Sequence, residues 1–124
     1  MSNQTMVQEI EKVLDIQALM AIVDGDTDFL QNIVEVFLET YEGQIVDIRE
    51  AIAHRNSDKL YKSAHSLKGA LGAIYAKAAF ESAMQLEIMG RTESWTDVDQ
   101  KLKMLEHEVE LLKPALNELS SMAL

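Results

Sequence analysis

Apolar residues recur along most of this chain every three or four positions, the spacing that lines one face of an α-helix. The clearest run lies near the C-terminus, where Val98, Leu102, Leu105, Val109, Leu112, Leu116 and Leu119 alternate by four and three. Thr96 and Asp99 are placed to cap that helix, and Pro114, with no N–H for the carbonyl of Glu110, is expected to kink it. Upstream, Phe29, Ile33, Val36 and Phe37 lead into Ile45, Ile48 and Ile52, as one long helix or two joined near Gly43. "DIQALMAIV" reads as a short helix capped by Asp15 and stopped at Gly25. Another helix follows "RNSD", with Asn56 or Ser57 as its cap, and "AKAAFESAMQLEIM" forms one that ends at Gly90. The pattern predicts an all-α fold, an antiparallel four-helix bundle with an additional short N-terminal helix. Residues 1–14 are expected to be a flexible N-terminal segment, and 15–124 the bundle domain.

Composition narrows the function classes. The chain has 124 residues with 48% hydrophobic, enough for one core. One proline and five glycines favour long helices over many strands. The formal net charge of −10 opposes nucleic acid binding. Absence of cysteine excludes disulfides, thiolate metal sites and cysteine nucleophiles. No apolar run is long enough for a membrane span, and "MSNQTMVQEIEK" lacks a signal-peptide core. A cytoplasmic monomer is expected, with no membrane or nucleic acid partner.

"DGDTDFLQNIVE" imitates a calcium loop, but Phe29 stands where the sharp turn needs glycine, so Asp24 and Asp26 are read as helix caps. His54 and His107 have no ligand partner at i+4, and no metal is expected. No Gly-rich phosphate loop follows a strand, so the chain has no ATP site of the common kinds and no cofactor is expected.

"KSAHSLKGALGAIYAKAAF" holds the candidate chemistry. Glycine costs a helix interior roughly 1 kcal/mol relative to alanine, yet this helix carries Gly69 and Gly72 near His65. On a helical wheel, Leu60, Leu67, Leu71 and Ile74 form a stripe centred about 140° from His65, which turns the imidazole to solvent. Tyr61, Lys68, Gly69 and Gly72 share its side, and the two glycines clear ground beside the ring. Between Lys59 and Phe80 lie four lysines, Lys62 among them, and no acidic residue. Lys68, one turn on, is placed to neutralise an anion held on the ring and to favour the neutral, nucleophilic imidazole. An exposed neutral imidazole beside an ammonium suits the carriage of a phosphoryl group.

"AHSLKGALGAI" resembles the signature of the histidine-containing phosphotransfer (HPt) domain family, H-x-x-K-G followed by a further small position. The resemblance covers roughly Asp15 to Leu119. It implies a phosphorelay carrier in two-component signal transduction, without enzymatic ATP chemistry of its own. His65 would accept the phosphoryl group from a receiver-domain aspartate or a sensor histidine kinase and pass it to another receiver. Lys68 would steady the phosphoryl group and Gly69 would give clearance. Glu87 would approach the histidine from the neighbouring helix. Tyr61, Lys62, Gly69, Gly72, Tyr75 and Glu87 would face the docked partner. Tyr75 departs from the family, which usually has glycine there, and puts partner choice in question. On a continued helix it would lie about 80° from His65. The alternative reading is a non-catalytic acidic helical interaction module. The phosphoacceptor domain of a chemotaxis-type kinase carries a similar motif.

Overall fold

The structure, a computed structural model, describes Gln8 and residues 10–121. From Ile16 onward five helices follow in order: α1 (Ile16–Val23), α2 (Thr27–Ala53), α3 (Ser57–Ala73), α4 (Lys77–Thr92) and α5 (Val98–Ser121). No strand occurs among the described residues. Three helix starts are capped as short polar side chains dictate. Ala18 N–H donates to Asp15 Oδ1 at 3.1 Å, Phe29 N–H to Asp26 Oδ1 at 2.9 Å, and Lys59 N–H to Asn56 Oδ1 at 3.0 Å. Each such cap is worth about 1 kcal/mol. Asp24 and Asp26 are thus helix-end residues, and α2 runs unbroken through Gly43.

Four local expectations change. The cap of α5 is Asp97 rather than Thr96, because the carbonyl of Asp97 accepts the first helical bond, from Lys101 N–H. The fourth helix does not stop at Gly90; it continues to Thr92, and Glu93 supplies the left-handed cap at φ 53°. In the first half of α2 the buried stripe is Leu30, Val34 and Phe37, while Phe29 and Val36 are about half exposed. Tyr75 is not helical: α3 ends at Ala73, and Tyr75 turns left-handed at φ 58°. Through that turn Tyr75 accepts a backbone bond from Asp15 N–H at 3.0 Å, tying the start of α1 to the α3–α4 connection.

α3 packs on α2 and α4, α5 packs on α4 and α2, and α1 lies on α2. The α3–α4 contact is the most extensive of these. Fully buried leucines and isoleucines from every helix fill the space between them, among them Leu19, Leu30, Ile48, Leu60, Leu67, Leu71, Leu86, Leu105 and Leu116. The expected flexible segment, residues 1–14, falls partly outside the described residues. Of those described, Ile10 and Leu14 are buried and join the core. At the opposite end Arg55 lies over the Trp95 ring at 5.2 Å, which links the α2–α3 turn to the α4–α5 connection. No helix among the described residues is long and apolar enough to cross a membrane.

Candidate functional site

α3 presents its apolar stripe, Leu60, Leu67 and Leu71, to the core, all without exposure. His65 stands on the opposite side with its side chain 60% exposed. Its Nδ1 lies 2.7 Å from Oε2 of Glu87 on α4. The other carboxylate oxygen, Oε1, is 2.6 Å from Nζ of Lys68. Glu87 is itself buried, with a side chain only 7% exposed. One turn before His65, the Tyr61 ring stacks on the imidazole at 6.0 Å between centroids and an interplanar angle of 18°. The ring is therefore held on one edge by a carboxylate and on one face by a phenol.

The charge on Glu87 settles which nitrogen carries the proton. Burial pushes its carboxyl pKa up, but the hydrogen bonds and charges of Lys68 and His65 outweigh that, and the net shift is below the ordinary 4.5. At neutral pH Glu87 is ionised, and an ionised carboxylate only accepts. Nδ1 of His65 must then be the donor, so in the neutral ring the lone pair resides on Nε2.

The lysines differ from their sequence reading. Lys68 lies beside a carboxylate as well as near the ring. Lys59 pairs with Glu50 at 2.8 Å, and Lys62 with Asp58 at 3.0 Å. The segment free of acids in sequence is thus supplied with them in space, from its own flank and from neighbouring helices. Lys62–Asp58 is largely in solvent, where such a pair contributes between nothing and about 1 kcal/mol.

The glycines also separate. A Cβ at Gly69 would meet nothing within 4 Å. At Gly72 a Cβ would touch the Phe80 ring at 3.4 Å, so this glycine faces α4 instead of open ground. Tyr75 lies beyond it, half-buried, lining a shallow notch with Gly72 and Phe80. The Lys68 ammonium sits 6.0 Å from the same Phe80 ring. Sequence reasoning missed Gly90, whose absent Cβ would fall on the backbone of α3 at Tyr61. Its spacing of three residues from Glu87 was the available signal. His54 bonds the backbone of its own helix, Nδ1 lying 2.9 Å from the Glu50 carbonyl oxygen. Among the described residues no three His, Asp or Glu side chains gather as a metal site would require.

No curated protein matches the chain, and no solved structure matches it. The family model for the Hpt domain matches residues 32–120, which span α2 from its second turn, all of α3 and α4, and nearly all of α5. With the match covering more than half of the chain and containing both His65 and Glu87, the chain belongs to the Hpt domain family, which serves phosphotransfer in two-component signalling.

Proposed function

We propose that this protein is a phosphorelay carrier, with α2–α5 as an antiparallel four-helix bundle and His65 as the phosphoacceptor. The observation that carries the reading is the hydrogen bond from His65 Nδ1 to a buried, ionised Glu87. That bond leaves Nε2 as the free nucleophile on an exposed ring. In the forward step the Nε2 lone pair attacks the phosphorus of a receiver's phosphoaspartate. An N–P bond forms, the P–O bond to the aspartate breaks, and the carboxylate leaves with the electron pair. The proton stays on Nδ1, and the positive charge that develops on the ring faces Glu87. In the onward step a second receiver's aspartate attacks the phosphorus, and the N–P electrons return to Nε2. Lys68 borders the ring, where it can shift toward the transferred group. Tyr61, Lys62, Gly69 and Tyr75 form the surrounding surface that a receiver covers, while Gly72 serves the contact with Phe80 on α4. The chain supplies no ATP chemistry in this scheme; the phosphoryl group comes from its partners, at the cytoplasmic side.

The test is incubation of the protein with a receiver domain charged by acetyl phosphate. Acid-labile label should pass to the wild-type chain and not to His65→Gln, whose helical circular dichroism should be unchanged. Receiver binding with no label on the wild-type chain would instead favour the non-catalytic interaction module.

A further inference from the structure

We propose that Gly90 is a positioning residue, the one that holds Glu87 within bonding reach of His65. The inference rests on the reading of His65 as a phosphoacceptor oriented by Glu87, and it assigns the cause of that orientation. A Cβ at Gly90 would stand 2.5 Å from Tyr61 N and 2.9 Å from both Tyr61 Cα and the Ser57 carbonyl oxygen. All three are main-chain atoms of α3, so none can swing aside as a side chain would. This is where the backbones of α3 and α4 meet.

The two helices run in opposite directions where they touch, since Tyr61 meets Gly90, His65 meets Glu87 and Gly72 meets Phe80. Tyr61 is one turn before His65, and Gly90 is one turn after Glu87. The backbone contact is therefore the rung next to the hydrogen bond. Restoring ordinary contact, which begins at 3.4 Å, would require α3 to retreat by something on the order of 1 Å, a displacement able to cost about 100-fold in rate. A retreat of that size would carry the 2.7 Å bond out of hydrogen-bond range. No other glycine is held so closely: Gly25, Gly43 and Gly69 have nothing within 4 Å, and Gly72 meets only a side chain at 3.4 Å.

A merely structural glycine would affect stability; a positioning glycine must change the state of the imidazole. The experiment compares wild type, Gly90→Ala, Glu87→Ala and the double variant. It reads ¹⁵N shifts of His65 at a pH where the ring is neutral, together with transfer from a charged receiver. Wild type should show one tautomer, with the proton on Nδ1, and Gly90→Ala should show the mixture of a free imidazole. Gly90→Ala should slow transfer roughly 10-fold or more, and the double variant should be no slower than Glu87→Ala alone. A single Nδ1–H tautomer in folded Gly90→Ala, or losses that multiply in the double variant, would overturn the proposal. Failure of Gly90→Ala to fold would overturn it too, because the glycine would then serve the fold itself. Glu87→Asp withdraws the carboxylate by one methylene with the helix contact intact, so retention of the tautomer there would also count against it. Should wild type take no phosphoryl group at all, the functional reading fails, while the tautomer comparison still decides the role of Gly90.

Discussion

Glu87 carries two bonds with one buried carboxylate, and the protonation of His65 follows from its charge. Because the folded carboxyl lies below its ordinary 4.5, its stabilising contribution is fully present above pH 4.5 and is lost as pH falls through the lower folded value. The stability advantage of wild type over Glu87→Gln should therefore shrink on acidification in that window, as chemical denaturation at stepped pH would show. In transfer, a charge-assisted hydrogen bond to the ring is worth about 1.5–3 kcal/mol. Glu87→Ala should accordingly slow phosphoryl uptake by roughly 10- to 100-fold. Lys68 acts on the same carboxylate. Its loss removes one of the bonds that hold Glu87 ionised, so Lys68→Ala should slow transfer several-fold and move the acidic loss of the Glu87 contribution to stability to higher pH. A loss that stays at the same pH would show that Lys68 does not act through Glu87.

At the scale of the helix, Gly69 and Gly90 illustrate two opposite uses of glycine. Gly69 has open space around it, so Gly69→Gln should gain helix propensity and raise stability by up to about 1 kcal/mol. The same side chain would stand where a receiver approaches, and transfer should slow; a denaturation midpoint and a transfer rate on one variant check both signs. This face of α3 was legible in the sequence, because the wheel depends only on the helix's own repeat. What lay across from it came only through the family resemblance, which put Glu87 on the neighbouring helix. By composition alone Glu87 was one of 21 acidic residues, and the register of α4 against α3 is what brings it to His65 and Lys68. Gly90 resembles a helix stop as much as a packing contact until its neighbour is known. At the start of α2 the sequence reading followed Phe29, Ile33, Val36 and Phe37, whereas packing on other helices buries Leu30 and Val34 together with Phe37. Tyr75 was misplaced because a left-handed turn by a tyrosine has no local signal comparable to glycine.

Across the whole molecule one continuous core joins all five helices and reaches back to Ile10 and Leu14. Leu14 is 2% exposed, one residue before the cap of α1 and next to the bond from Asp15 to Tyr75. Truncating it should leave a cavity and cost about 2–5 kcal/mol, read as a lowered denaturation midpoint for Leu14→Ala. The same core fixes the spacing of α3 and α4, and through it the imidazole that faces solvent. The most direct test of the account is where the phosphorus is attached. The chain should be loaded from a charged receiver and the linkage read by ³¹P and ¹⁵N NMR. One phosphohistidine is expected, at His65, bonded through Nε2 with Nδ1 still protonated. Phosphorus on Nδ1, or on His54 or His107, would contradict it.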